Sequence, residues 1–479
     1  MKVLRVGTLS RVGSIDPRKA IDAVSSVVLN EIFERPFHQP LGNEPPEPNL
    51  FTSPLVAEGS GGRTWMGTLR SGITFSDGTA MTAQIVAKSL NGSPNFSRQA
   101  TAEASGERIL FRLNKPNARF DLVLAANYSS IVLEKPGWLA GSGAFMFSSI
   151  TTAPQVQKLD RVTLIRNPHY RNKVDLDEIV FIAYPMSATG GRDNLLEAAR
   201  KGEIDFTYSL TSVDAAALRG SPFVPWISNP NSTSFLQLNV TKPALSDVNV
   251  RRAISYAIDR RAIAESMYER NPLAYIASSI LPPIMGRDQQ TFSFDPAKAK
   301  QYADAAGSAM PKQLSLLLLW TSRPYMPNPA KAGELIREQL ATIGIHVTFT
   351  TPKSPAEYFD AIDRGSYELL MGGWIADTVD PADFFEATLA SYSIPGIGKD
   401  TPTDNNASRW ANAGMDALLD KFRAEPADAN RAAILKMVID EAPLVPLIYG
   451  QSVAVYSHSV MRFRASALGR CQLSNLQLR

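Results

Sequence analysis

The sequence predicts an α/β protein, and three observations carry that expectation. The apolar run Leu314 to Trp320 reads as a strand, Ala330 to Ile343 as an amphipathic helix stopped by Gly344, and Ile345 to Thr350 as a second strand. Strand-helix-strand order is the repeating unit of α/β sheets. The same order returns when Tyr358 to Asp363 begins a helix and Tyr367 to Trp374 comes back as a strand. At the other end of the chain, Val3 to Leu9 alternates like a strand and precedes the helix-like segment Ala23 to Phe33.

Composition bounds what such a protein does. Its 479 residues suggest about three domains at roughly 150 residues each, enough for large cores. Hydrophobic residues make up 44% and charged residues 20%, as in ordinary globular chains. Lys plus Arg number 49 against 46 Asp plus Glu, and the net charge of +3 is spread without a basic run, so no electrostatic footprint for nucleic acid exists. The longest apolar runs, such as Leu314 to Trp320, fall far short of the roughly 20 residues a membrane-spanning helix needs. A single cysteine, Cys471, excludes an intrachain disulfide, so the fold stands on its core. Met1 to Leu9 carries charge but lacks the roughly 7 to 15 residue apolar region of a secretory signal. Three origins fit that start: a signal removed with a Met added, a cytoplasmic chain, or part of a larger polypeptide.

Taken in order, Asp16-Pro17 opens toward the first helix, and the Pro-rich stretch Pro36 to Pro54 reads as a linker into a second unit. In that unit Thr64 to Leu69 is a strand, Phe75 to Thr79 a tight turn, Thr82 to Leu90 a helix capped by Thr82, and Ile109 to Leu113 a strand. Gly141 to Phe145 is a glycine turn without the spacing or following helix of a phosphate loop, and Gly396 to Asp400 lacks the first Gly and final Ser or Thr of one. Phe235 to Pro243 alternates as a strand running into a turn. Asp247 to Arg260 puts Ala253, Ile254, Ala257 and Ile258 on one helical stripe, which suits an interdomain core better than a ligand contact. The histidines His38, His169, His346 and His458 share no metal-ligand spacing, and no serine sits in a nucleophile elbow. No catalytic residues, metal site or cofactor are therefore expected.

The stretch Leu369 to Phe385 is the candidate ligand site. A buried-strand pattern stops at Gly372 and Gly373, which let another backbone approach closely, and is followed by Trp374 and then Asp377, Asp380 and Asp383. A Trp face and a carboxylate drawn out of bulk water suit a cationic partner such as an ammonium group. The same residues also read as a strand end and an Asp-Pro turn whose carboxylates are solvated and cap the next helix. The residues alone leave both readings open.

A resemblance spans nearly the whole chain. Leu69 to Ala83 (LRSGITFSDGTAMTA) resembles the "LRpGvkFhDGtplTAeDV" segment of the family 5 extracellular solute-binding proteins, the peptide, nickel and opine receptors of ABC importers. Gly141 to Phe145 is similar to that family's "GTGPY", Leu164 to Tyr170 to "lernpdYw", and Gly202 to Asp205 to "sGeiDi". Phe235 to Pro243 resembles "ylafNtkkpPf", Asp247 to Arg260 "DvrVRqAlsyAIDre", and Phe294 to Lys300 with Ala305 to Gly307 "ydpekAkklLaeAG". Thr403 to Asn412 with Met415 to Leu419 is similar to the Asn-rich loop before "NpevDrLl", and Ala442 to Leu447 closes the match.

The resemblance implies a two-lobed, type II periplasmic-binding-protein-like α/β fold, hinged over a ligand cleft, with an extra small domain. Carried over, the first lobe is discontinuous at 1–35, 172–258 and 453–479, the small domain occupies 36–171, and the second lobe 259–452. The stretches Ser89 to Phe96 and Tyr128 to Gly143 make that small domain short for the family. The implied function is a substrate-binding receptor of an ABC importer that closes on a peptide or other amine-bearing solute and delivers it to the membrane permease. Alternatives are a nickel-chelate or opine receptor, or the ligand-sensing module of an intracellular regulator. The family pattern Trp-x-x-Asp-x-x-Asp-Pro falls on Trp374 to Pro381, which implies that Asp377 holds the ligand α-amino group. Trp374 would line the pocket, with Gly373, Ile375 and Ala376 beside it, Asn239 at a neighbouring strand end, and Arg409 offered for the ligand carboxylate. A monomer without cofactor or metal is implied, in the periplasm or lipid-anchored outside the cytoplasm if a signal peptide has been removed.

Overall fold

Strand β1 (Val3–Thr8) buries Leu4 and Val6 completely, and its neighbours on both sides run parallel to it. A strand so placed is covered on both faces, which is why it carries so little exposed polarity. The computed structural model of the chain describes residues 1–20, 22–40, 44–59, 61–148, 160–185, 191–218, 220–268, 272–286, 293–396 and 405–479. Within them the chain forms two compact units, Met1–Ile227 with Val453–Arg479, and Ser228–Ser452.

In the first unit, helix α1 (Ala23–Asn30) starts where Asp22 accepts the N–H of Ser25 at 2.8 Å. It stops three residues short of the expected Phe33, and the Glu31 carboxylate beyond it is fully committed. That carboxylate accepts the N–H groups of Leu473 at 2.7 Å and Ser474 at 3.0 Å, which ties the C-terminal segment to the helix. A small four-stranded sheet follows, built from β2 (Val56–Ala57), β3 (Thr64–Thr68), β4 (Ala100–Ser105) and β5 (Arg108–Leu113) in the order β2-β3-β5-β4. Helix α2 (Ala83–Asn91) packs with it and is capped by the Thr82 hydroxyl, as its sequence predicts.

The Pro-rich stretch expected to be a linker is part of this core: Phe37, Leu50 and Phe51 are buried among Phe96, Phe111 and Phe120. Proline and glycine content hid three core residues, because burial is decided by what the chain packs against. The glycine turn at 141–145 spends its N–H groups inside the protein, Gly143 donating to the Ile32 carbonyl and Phe145 to that of Glu31.

The main sheet of the first unit comprises β6 (Phe145–Phe147), β7 (Arg161–Arg166), β8 (Glu178–Ala183) and β9 (Phe206–Leu210), in the order β6-β7-β8-β1-β9. Asp205, from the "sGeiDi"-like motif, accepts from both the backbone N–H and the guanidinium of Arg5, so this motif residue locks β1 to β9.

The long strand β10 (Phe223–Leu238) carries the chain into the second unit. Helix α3 (Val248–Ala257) is capped by Asp247, and α4 (Arg260–Met267) by Asp259. The predicted stripe of Ala253, Ile254, Ala257 and Ile258 is buried, with Ile254, Ala257 and Ile258 in the core of this unit. Fully burying a residue such as Ile254 contributes about 1.5–3 kcal/mol. The chain enters this unit at Ile227/Ser228, and Leu236, Leu238 and Leu245 pack with the stripe in its core. It leaves the unit at Ser452/Val453.

The strand-helix-strand unit is realised as β11 (Gln313–Leu317), α5 (Pro329–Ala341) and β12 (His346–Thr350), with the two strands parallel. Strand β11 is shorter than expected, and Leu318 to Trp320 lie in the loop beyond its carboxyl end. Helix α6 (Pro355–Arg364) leads to β13 (Leu369–Ile375), which pairs parallel with β11 and antiparallel with β10. Helix α7 (Pro381–Leu389) follows, and β14 (Leu444–Ser457) returns the chain to the first unit. The order in the second unit is β14-β10-β13-β11-β12.

Candidate functional site

In sheets of this kind ligands gather beyond the carboxyl ends of the parallel strands. β11 pairs with β13 only at Leu316↔Leu369 and Leu317↔Leu370, and the loop after β11 then runs beside the remaining residues of β13. Tyr325 of this loop is buried. A Cβ on Gly373 would lie 2.6 Å from its ring, and one on Gly450 would lie 2.4 Å from its Cα. At Gly373 the close approach is therefore made by a side chain, the Tyr325 ring, where the sequence suggested another backbone. Gly450→Ala is expected to lower stability by about 1–3 kcal/mol, since the obstructing atoms are backbone and cannot swing away. Urea unfolding checks this, and an unchanged midpoint would show that the loop yields.

Opposite Thr233 of β10, Trp374 is half-buried, and its indole N–H is buried with no hydrogen-bond partner among the described residues. Ile375 is 37% exposed, whereas Ala376 is buried and continues the pairing through its N–H to the Asn231 carbonyl at 3.0 Å. The three aspartates that follow divide their tasks. Asp380 caps α7 by accepting the Ala382 N–H at 2.9 Å. Asp383 accepts the backbone N–H of Asp377 at 2.7 Å. This leaves Asp377 as the exposed carboxylate of the three, carried on a turn that the other two hold in shape. The segment is thus an Asp-Pro capping turn that leaves one carboxylate, Asp377, exposed.

The structure adds a residue that the sequence reading passed over. Arg323 lies in the loop after β11, in a tight backbone pair with Met326. Its guanidinium carbon stands 4.1 Å from the Trp320 ring centroid, and its Nε is buried without a hydrogen-bond partner among the described residues. Among the described residues Arg323 forms no ion pair. Burial raises the Tyr325 phenol, against a lowering by the Arg323 charge, and the same two effects act on Tyr358, so the cation lies within electrostatic reach of both rings. Reading Leu314 to Trp320 as one strand hid this loop. The available signal was Pro324 directly after an arginine, close behind a strand in a parallel unit.

Asn239 and Arg409 are placed elsewhere. Asn239 is fully buried; its amide donates to the Tyr367 carbonyl, and its oxygen accepts from the N–H and hydroxyl of Thr241. Arg409 donates to the Ile362 carbonyl at 3.0 Å and lies against Gly365. Both stand at the amino-terminal end of β13, six residue steps from Ile375, or roughly 20 Å at about 3.3 Å per residue. They are left out of the site. From the Asn-rich loop, Asn405 reaches the Gly373 carbonyl at 3.4 Å, while Thr403 and Asp404 lie outside the described residues, as do residues 397–400 of the glycine segment before them. Among the described residues no group of three or more His, Cys, Asp or Glu is arranged to hold a metal ion, and no helix is long and apolar enough to cross a membrane.

Comparison with known proteins bears on this geometry. The model of the bacterial extracellular solute-binding proteins, family 5, matches residues 45–395. A dipeptide-binding protein of Escherichia coli K12 is 25% identical over 387 residues, covering 77% of this chain and 70% of the relative. Among solved structures, a dipeptide-binding protein from Pseudoalteromonas sp. SM9913 in complex with Met-Leu superposes with a TM-score of 0.84 at 20% identity, covering 100% of both chains. An ABC transporter-associated periplasmic binding protein from Helicobacter pylori, in complex with the peptide STSA, superposes at 0.80 with 24% identity, covering 99% of this chain and 98% of the other. These likenesses give the fold as the two-lobed α/β fold of the type II periplasmic binding proteins. The match extends over well beyond half of the sequence and includes both the Gly-Trp-Ile-Ala-Asp turn and the arginine loop, and the chain belongs to the family 5 extracellular solute-binding proteins.

Proposed function

We propose that this chain is the substrate-binding receptor of an ABC importer and that its substrate is a small peptide with free termini. The observation that carries this reading is the pair of opposite charges at one edge of the second unit. Asp377 is displayed on its turn near Trp374, and Arg323, which forms no ion pair among the described residues, lies on Trp320 where the loop after β11 runs beside β13. On this reading the ammonium of a zwitterionic peptide meets Asp377 and its carboxylate meets Arg323. An exposed Asp and a stacked Arg are worth little to each other through water, but each strengthens against a ligand charge once water is displaced. The bidentate fork of an arginine suits a carboxylate in particular. The relatives' ligands support this: the Escherichia coli protein is named for dipeptides, and both solved neighbours hold peptides.

On this reading the receptor works as a monomer in the periplasm, passes its ligand to a membrane permease, and returns it chemically unchanged. The test is the shift in melting temperature against di- and tripeptides, opines and nickel chelates. A ligand at a hundred times its Kd stabilises the folded state by about 2.7 kcal/mol. Free-terminus peptides are expected to raise the melting temperature and to be recovered intact. A response to opines or nickel chelates alone would replace the peptide reading, and conversion of the peptide to product would replace the receptor.

A further inference from the structure

We propose that the site continues past Arg323 onto an aromatic shelf, Trp320 with Phe359, which takes an aromatic side chain on the ligand residue that bears the carboxylate. The inference rests on the peptide reading above and adds a preference to it. β13, β11 and β12 lie side by side in that order, about 4.8 Å apart. Beyond their carboxyl ends stand, in turn, the Trp374–Asp377 turn, the Trp320–Tyr325 loop, and the first turns of α6 with Tyr358 and Phe359. Contacts join these neighbours: Tyr325 fills the space beside Gly373, Arg323 lies over Trp320, and the Trp320 centroid is 4.9 Å from that of Tyr358 and 5.6 Å from that of Phe359.

Tyr358 is 4% exposed, so it supports the shelf from beneath, whereas Phe359 is 49% exposed. A lone half-exposed phenylalanine is ordinary. Here it edges a half-buried tryptophan that already stacks on the only cation placed for the ligand carboxylate among the described residues. The chemistry of a peptide then sets the geometry. Carboxylate and side chain of the last residue leave the same α-carbon, so a carboxylate paired with Arg323 brings that side chain within a few ångströms of the ring on which Arg323 lies. An aromatic group placed there covers the open part of Phe359 and gains an offset or edge-on ring contact.

Calorimetric titration of the full chain with alanyl-alanine, alanyl-phenylalanine and phenylalanyl-alanine tests the inference in the wild type, Phe359→Ala and Trp320→Leu. Wild type is expected to bind alanyl-phenylalanine roughly tenfold or more tighter than alanyl-alanine, the effect of burying one large apolar side chain. In Phe359→Ala that ratio should fall by about fivefold or more, and in Trp320→Leu it should fall as well. Phenylalanyl-alanine, with its ring at the other end, should lose no more in Phe359→Ala than alanyl-alanine does. Phe359 is exposed enough for its replacement to fold, and an unchanged melting curve confirms that it has. An unaltered ratio in both variants, or equal sensitivity to a ring at either end, overturns the shelf while leaving the peptide reading in place. Failure of the wild type to bind any of the three dipeptides overturns the peptide reading, and the shelf falls with it.

Discussion

Asp377→Asn is expected to weaken binding of a free-amino dipeptide by about a hundredfold or more. The substitution preserves the size of the side chain and one oxygen but removes the charge proposed to face the ligand ammonium. Removing one partner of a charge pair taken out of water costs about 3–5 kcal/mol, whereas removing an exposed carboxylate costs roughly 0–1 kcal/mol. At about 1.4 kcal/mol per tenfold, the two cases differ by orders of magnitude in Kd. In the ligand-free protein Asp377 is exposed, so the loss should appear in affinity and leave folding stability nearly unchanged. N-acetylation of the peptide should do similar damage to the wild type and add little in the variant, because both changes remove one interaction. Calorimetry on the four combinations decides it. Small individual effects, or losses that simply add, would return Asp377 to the role of a solvated residue in a capping turn.

Arg323→Gln is expected to cost a comparable amount, on the order of a hundredfold, if the guanidinium meets the ligand carboxylate. The variant also gives up the stacking on Trp320, worth about 0.5–2 kcal/mol, so a single measurement would mix the two effects. A C-terminally amidated dipeptide separates them. Amidation should weaken the wild type strongly and the variant little, whereas lost stacking alone would leave the cost of amidation unchanged. Arg323→Lys keeps the charge but loses the planar fork and is expected to recover only part of the affinity. If Arg409→Gln proved the costlier substitution for free-carboxylate ligands, the placement of the carboxylate at Arg323 would be wrong.

Much of this architecture is legible in the chain because its signals are local. Thr82 announces a helix start through a hydroxyl that accepts the N–H group three residues on, and it does so in the structure. Gly344 ends the reach of α5 with a φ of +82°, a conformation in which glycine alone is unstrained. The stripe at Ala253, Ile254, Ala257 and Ile258 is buried as its spacing predicts. The turn that exposes Asp377 is legible for another reason: turn and cap share one short segment, so the motif carries its own geometry.

What the sequence by itself determined, then, is the α/β order of the elements, most of their ends, the family, and the turn that displays Asp377. These rest on periodicities and hydrogen bonds that span a few residues. Only the tertiary structure decided which distant residues join that turn. The register of β10 on β13 puts Asn239 at the far end of the strand, and contacts with Ile362 and Gly365 hold Arg409 there too, although Arg409 lies closer to Asp377 in sequence than Arg323 does. The parallel pairing of β11 with β13, followed by the loop that seats Tyr325 between Gly373 and Gly450, brings the loop of Trp320 and Arg323 beside the carboxyl half of β13 instead. The same holds for Phe37, Leu50 and Phe51, core residues within a stretch composed like a linker. A contact between residues fifty positions apart depends on strand order and register, which are set by how whole faces pack and not by any residue's neighbours along the chain.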